Sequence, residues 1–237
     1  MEKVEKQRKI YEGKAKIVYE ADDPDLLIQY FKDDATAFDG KKRGIIPEKG
    51  IYNNRISAVL FIYLEHHGVP THFVKLLSER EVLVRRLQIV PIEVVMRNIV
   101  AGSLAKRLGL EEGLPLEAPV LEYYYKSDAL GDPMINEYHI RALGLASPEE
   151  LQQIKELAFK VNGILLPFFE EREVLLVDFK MEFGRRKGKL LLGDELSPDT
   201  CRFWDKRTLE KMDKDRFRHD LGKVEEAYKE VFNRICS

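Results

Sequence analysis

A chain of 237 residues with 44% hydrophobic content can bury one sizeable core or two small ones, and a formal net charge of −2 excludes a surface built as a whole for nucleic acid or anionic membrane. No stretch approaches the roughly 18 apolar residues of a transmembrane helix, and the charged start MEKVEKQRK lacks the apolar core of a signal peptide. The two cysteines, Cys201 and Cys236, form no CxxC pair, which fits a reducing cytosol.

KIYEGKAKIVYEA (9–21) alternates and predicts a strand, and LLIQYFKDDATAFDGKKRG (26–44) predicts a strand running into a polar loop. Ile51, Ile56, Val59, Leu60, Tyr63 and Leu64 recur at helical spacing and end before Gly68, which predicts a helix. Residues 72–98 offer two or three strands, with Pro91 opening the last. AGSLAKRLG predicts a short helix ended by Gly109. The Gly-, Pro- and aromatic-rich segment 111–136 reads as a long functional loop. Ser147, Pro148 and Glu150 form a capping box, and Leu151, Ile154, Leu157, Ala158, Val161 and Leu165 make one face of the helix behind it. Two strands follow, and the chain closes on a helix, 221–236. The order predicts an α+β protein of two lobes, residues 1–87 and 88–237.

The stretch VLLVDFKMEFG (174–184) poses a chemical question. Period two places Phe179, Met181 and Phe183 on one face and Asp178, Lys180 and Glu182 on the other. A solvated face is the ordinary account of such an alternation. The continuous apolar run Val174–Val177 argues instead for burial on both faces, and the next apolar run also ends in acids, Asp194 and Glu195. Two neighbouring strands ending in carboxylates suggest a metal or phosphate site at a sheet edge.

There is no GxxxxGK[ST] loop and no GxGxxG. Lys14 and Lys16, two apart beside Gly13, could hold phosphates from one strand face, or form an exposed basic edge. Arg97 ends a strand and Ser103 opens a helix, a pairing suited to anions or to ordinary capping. Arg202 is a further anion ligand or stacks on Trp204. No GxSxG nucleophile is present, and His66 and His67, adjacent on a helix, point apart.

YEGKAKIVYE, VPIEVVMRNIVAGSLAKRLG, LLVDFKMEFG, LLGDELSPDTCRFWD and DKDRFRHDLG together resemble the SAICAR synthetase family of purine biosynthesis, in its bacterial single-function form. The resemblance spans nearly the whole chain. It implies a two-lobed α+β fold related to ATP-grasp and kinase architectures, with antiparallel sheets, flanking helices and ATP between the lobes. It implies a ligase that joins the carboxylate of CAIR to the amine of L-aspartate at the expense of ATP, giving SAICAR, ADP and phosphate with Mg²⁺. By motif matching, Lys14, Ala15 and Lys16 cover the ATP phosphates. Val18, Leu27, Val84 and Leu87 sandwich adenine, with the backbone from Arg86 to Ile89 as the hinge. Glu182 and Asp194 hold Mg²⁺. Lys180 faces the reacting carboxylate or phosphate, and Asp178 orients Lys180 or meets the amine. Arg97, Ser103, Arg202 and Arg218 hold the ribotide phosphate or carboxylate. Lys126 and Asp132 lie in a loop that closes on nucleotide or metal. Phe38 departs from the family pattern and leaves the substrate role of Asp39 open. A cytoplasmic enzyme of small-molecule substrates follows, with no nucleic-acid or membrane partner and with a homodimer allowed.

A kinase-like phosphotransferase would need the same ATP and Mg²⁺ groups but a hydroxyl acceptor, and no HRD-type loop is present. A nucleotide sensor would bind ATP and turn nothing over. FGRRKGKL predicts a hairpin with the three-residue loop 186–188, which pairs Arg185 with Lys189 and puts Lys180 opposite Asp194. A two-residue loop would turn Asp194 to the other face.

Overall fold

The computed structural model describes residues 4–37 and 40–236. Two antiparallel sheets follow one another along the chain. The first uses β1 (Lys9–Glu12), β2 (Lys16–Glu20), β3 (Leu26–Phe31), β6 (Phe73–Leu76) and β7 (Glu81–Arg85), in the order β1-β2-β3-β7-β6. A small hairpin, β4 (Asp34–Ala37) with β5 (Lys42–Ile45), and helix α1 (Lys49–His66) are inserted before β6. The second sheet uses β8 (Gln88–Ile99), β9 (Pro115–Tyr125), β10 (Met134–Ile135), β11 (Val174–Arg186) and β12 (Lys189–Gly193), in the order β10-β9-β8-β11-β12, with β13 (Cys201–Asp205) also paired to β11. Helices α2 (Gly102–Leu108), α3 (Glu137–Ala142), α4 (Pro148–Glu170), α5 (Asp215–Arg218) and α6 (Val224–Cys236) complete the chain.

Helix α4 begins as its residues dictate. The Ser147 hydroxyl accepts from the Glu150 amide, and the Glu150 carboxylate accepts from the Ser147 amide. Its face Leu151, Ile154, Ala158, Val161 and Leu165 is buried against β8, β11 and β12. The opposing layer is the apolar face of β8 and β11: Ile92, Val94, Met96, Phe179, Met181 and Phe183, each at most 1% exposed. Burying each such side chain is worth about 1.5–3 kcal/mol, so this layer fixes which face of β11 points away from it. Helix α1 packs on β3, β6 and β7 and, on its other side, on α6.

Four local expectations change. Residues 9–21 form not one strand but a hairpin, with Gly13–Ala15 as the turn, so Lys14 and Lys16 do not share a strand face. The polar segment after Phe31 contains the β4–β5 hairpin. The expected loop 111–136 contains the 11-residue strand β9 and the short strand β10. Pro115 and Pro119 suggest a loop, yet they lie in the half of β9 that β10 does not cover; β10 pairs only with Tyr123 and Tyr124. The hairpin between β11 and β12 has a two-residue turn: Arg186 pairs with Lys189, and Lys187 and Gly188 sit at φ 50° and 76°. Two left-handed central residues match the right-handed strand twist, which a tight connection favours. Glu182 therefore lies opposite Gly193, not diagonal to a continuing strand.

Candidate active site

The charged face of β11 is the floor of the site. Register places Asp178 opposite Arg97, Lys180 opposite Val95 and Glu182 opposite Glu93, and β8 in turn sets Glu93 against Tyr124, Val95 against Glu122 and Arg97 against Val120. Directly opposed residues share a face, so one face of the second sheet collects Glu93, Arg97, Glu122, Tyr124, Asp178, Lys180 and Glu182. The outer edge of β11 is divided: β13 covers its first half and β12 its second. Lys180 lies between them, and its amide donates to the Thr200 carbonyl at 2.9 Å.

Asp194 follows β12 and takes φ 57°. That left-handed residue ends the strand and brings the carboxylate back to the charged face, where a continuing strand would have turned it away. Lys180 Nζ then lies 2.5 Å from Glu182 Oε1, 3.1 Å from Glu93 Oε1 and 3.1 Å from Asp194 Oδ2. Lys16 bridges Asp194 and Glu195, and Lys126 Nζ reaches Glu182 Oε1 at 2.7 Å. Burial opposes the charge on Lys180, but Asp194, Glu182 and Glu93 outweigh it and hold its pKa well above the ordinary lysine value. Burial likewise raises the Asp194 pKa, and Lys16 and Lys180 reverse the shift and keep it ionised.

These groups line a cavity of about 380 Å³ bounded by the β1–β2 turn, the β4–β5 hairpin, the charged face of the second sheet, the 194–200 segment and α5. Among the described residues, six cationic side chains (Lys14, Lys16, Lys126, Lys180, Lys214, Arg218) and seven acidic ones (Glu93, Asp128, Asp132, Glu182, Asp194, Glu195, Asp199) line it. The balance is one negative charge, so an anionic ligand gains from a cation that enters with it. Glu182 and Asp194 offer only hard oxygen donors, and among the described residues no group of three or more His, Cys, Asp or Glu forms a metal cage. Such a pair fits Mg²⁺, which takes one or two carboxylates and fills its shell with phosphate oxygens and water.

A second network adjoins the cavity. Arg97, 3% exposed, donates to Glu122 at 2.7 Å, Asp178 at 2.6 Å, Ser103 Oγ at 2.9 Å and the Tyr124 hydroxyl at 3.3 Å. Arg202 donates to both Asp178 oxygens, at 3.0 and 2.8 Å, and to Asp215 at 2.7 Å, and Asp215 also accepts from Arg218 at 2.6 Å. Gly102, at φ 54°, lets the Arg202 guanidinium pack on its backbone; a Cβ there would stand 2.5 Å from Arg202 Nη2.

The structure brings together Lys14, Ala15, Lys16, Lys126, Asp132, Lys180, Glu182, Asp194 and Arg218 around the cavity. Several expectations are corrected. Asp178 does not orient Lys180; its carboxylate is engaged by Arg97 and Arg202. Arg202 belongs to β13 rather than to a loop, and it pairs with carboxylates rather than stacking on Trp204. Ser103 is not the N-cap of α2, which is Ala101, and its hydroxyl instead accepts from Arg97. Val18, Leu27, Val84, Arg86 and Leu87 do not line the cavity. Leu27 and Val84 are cross-strand partners, Val18 lies opposite Gln29 on the same face, and Leu87 packs over Gly184 and Gly193, where a Cβ would meet it at 2.6 and 3.1 Å. The Arg86 guanidinium donates to the Pro24 carbonyl. Asp39, like Phe38, lies outside the described residues.

Glu195, which ends an apolar run beside Asp194, lines the cavity as the sequence suggests, and Glu93, Asp128, Asp199, Thr200 and Lys214 line it with no expectation attached to them. Glu93 was legible: it lies four residues before Arg97 in a strand, hence on the same face. Asp128 meets Lys14 at 2.7 Å across 114 residues, a contact that no local pattern carries.

The SAICAR synthetase family model matches residues 9–235. The chain belongs to the SAICAR synthetase family. It is 59% identical over 232 residues to the phosphoribosylaminoimidazole-succinocarboxamide synthase of Caldanaerobacter subterraneus subsp. tengcongensis, covering 98% of this chain and 99% of that one. The crystal structure of phosphoribosylaminoimidazole-succinocarboxamide synthase from Ehrlichia chaffeensis superposes with a TM-score of 0.94 at 48% identity, covering 96% of this chain and 98% of that one. A SAICAR synthetase solved in complex with ADP superposes with a TM-score of 0.92 at 52% identity, covering 95% and 96%. The fold shared by these SAICAR synthetases is the α+β arrangement of antiparallel sheets described above.

Proposed function

We propose that this chain joins the carboxylate of CAIR to the amine of L-aspartate, consuming ATP and releasing SAICAR, ADP and phosphate. The observation that carries the reading is Lys180, whose ammonium lies within 3.1 Å of three carboxylates on two strands and the segment after β12. A lysine so placed is a fixed positive charge where two anions must meet. Membership of the family supplies the reaction.

In this reading residues 1–87 and 88–237 are the two lobes, and ATP lies between them, as ATP-grasp and kinase architectures imply. Lys14, Ala15 and Lys16 cover its phosphates from the β1–β2 turn, with Lys126 from the opposite side. Adenine extends beyond the lined cavity, toward Val18, Leu27, Val84 and Leu87 beside the Arg86–Ile89 hinge. Glu182 and Asp194 hold Mg²⁺, which when bound neutralises phosphate charge. The CAIR carboxylate attacks the γ-phosphorus, giving an acyl phosphate and ADP. The amine of L-aspartate then attacks the acyl carbon, and phosphate and a proton leave. Lys180 stabilises the charge that both steps gather on oxygen and is set in place beforehand by Glu93, Glu182 and Asp194. Arg97, Ser103, Arg202 and Arg218 bind the ribotide, with Asp178 fixing Arg97 and Arg202. The free thiols of Cys201 and Cys236 suit the cytosol.

The test is ADP release with each substrate omitted in turn. ADP forms at the full rate only with ATP, CAIR and L-aspartate together. Release at that rate with ATP and CAIR alone, or none with all three, contradicts the reading.

A further inference from the structure

Among the described residues, Lys214 is the cavity lysine with the least counter-charge. The other four that line it, Lys14, Lys16, Lys126 and Lys180, each have a carboxylate oxygen within hydrogen-bonding distance. The carboxylate paired with Lys214 is that of Asp199, at 3.7 Å, beyond a hydrogen bond. Asp199 is already engaged on both oxygens: Oδ2 accepts from Lys49 Nζ at 2.7 Å, and Oδ1 accepts from the Tyr228 hydroxyl at 2.7 Å. Lys49 is fully buried, so water cannot replace Asp199 as its partner. Two ammonium groups therefore share one carboxylate, and Arg218 adds a third positive charge four residues beyond Lys214.

The electrostatics agree with that geometry. Burial pushes the Lys214 pKa down, Lys49 and Arg218 push it further down, and Asp199 and, less strongly, Glu195 answer only in part. A desolvated cation with this surplus is stabilised by an anion that arrives from outside. The Lys214 amide donates to the Pro198 carbonyl at 3.1 Å, which ties the lysine to the segment that carries Asp194 and Glu195 and faces it into the same cavity.

We infer that Lys214 seats a carboxylate of the amino-acid substrate, L-aspartate, beside Arg218. The inference rests on the function proposed above. ATP phosphates are met there by Lys14, Lys16 and Lys126, and the ribotide by the arginine network. L-aspartate brings two further carboxylates while its amine must reach the reacting carbon, and Lys214 is the cation left over for them.

The test is steady-state ADP release by the full chain and its Lys214→Met and Lys214→Arg variants, with each of the three substrates varied. Lys214→Met raises the L-aspartate KM about 10- to 100-fold, the range for a lost charge-assisted hydrogen bond. It leaves the KM values for ATP and CAIR within about twofold, as for independent sites. Lys214→Arg recovers part of the L-aspartate affinity. The Lys214→Met variant also melts no lower than the parent, because it removes a repelled charge; a merely structural lysine would lower the melting temperature. If Lys214→Met fails to fold, a Lys214→Arg variant with an unchanged L-aspartate KM and a raised CAIR KM overturns the seat. If the parent enzyme turns over and Lys214→Met keeps its L-aspartate KM or shifts the CAIR KM instead, the seat is wrong and the function stands. If the parent releases no ADP with all three substrates, the function fails and the seat with it.

Discussion

Glu182 from β11 and Asp194 from the residue after β12 reach the same ammonium group, so each is expected to be indispensable. Glu182→Gln and Asp194→Asn keep shape and lose charge. Each is predicted to lower turnover at least about 100-fold, the scale of a lost electrostatic contact to the transition state. Near-normal ADP release by both at limiting Mg²⁺ would remove them from the metal site. Arg97 is a different case, because it is buried among Glu122, Asp178, Ser103 and Tyr124. Arg97→Lys keeps the charge but not the planar fork. It is predicted to raise the CAIR KM and to cost about 1–3 kcal/mol of stability through the carboxylate hydrogen bonds it abandons. A variant with unchanged CAIR KM and weakened ATP binding would move Arg97 to the nucleotide side. The same scale shows what sequence could carry. Asp178, Lys180 and Glu182 were legible because period two in a strand is rigid. Asp194 was legible as a neighbour of Lys180 through the hairpin, though by a different register, whereas Lys126 and Lys16 arrive from 54 and 164 residues away along the chain from Lys180, which no local pattern carries.

The β11–β12 hairpin shows where element-scale reading stops. Alternation located both strands, and the Lys187–Gly188 turn was recognised as a turn, yet one residue of loop length decided the register. Both turn residues are left-handed, so Gly188→Ala is predicted to cost about 1–2 kcal/mol in denaturant unfolding with kcat unchanged. Lys187→Asn is predicted to stabilise, since Asn tolerates that conformation better. If Gly188→Ala were neutral, the turn would not hold the conformation described. The strand β9 was misread for a related reason. Its prolines signal a loop locally, and only the position of β10 shows that their missing N–H groups are not needed. Helix α4 was fully legible because its capping box and apolar face are both local. The adenine group Val18, Leu27 and Val84 was readable as one sheet face, while the placement of that face away from the cavity depends on how the two sheets meet.

At the scale of the whole molecule, the buried acids of α5 and the turn before it tie stability to the network of Arg202 and Arg218. Burial, with the Asp215 charge beside it, pushes the Asp213 pKa from 3.8 up to about 7. The folded chain then keeps a proton between those values that the unfolded chain releases, so this group's stabilising contribution is complete below about 3.8 and is lost as pH rises to about 7. The slope is at most about 1.4 kcal/mol per pH unit. Asp213→Asn cannot titrate, and its stability is predicted to gain on the parent from pH 4 to 8, measured by urea unfolding. Parallel curves would contradict the shift. In the proposed reaction the lysine and carboxylate cluster brings the γ-phosphate of ATP onto the CAIR carboxylate. The most direct measurement uses CAIR labelled with ¹⁸O in that carboxylate, followed by mass analysis of the phosphate released during SAICAR synthesis. One ¹⁸O atom is expected in each phosphate, carried over as the acyl phosphate breaks. Phosphate free of label would contradict it.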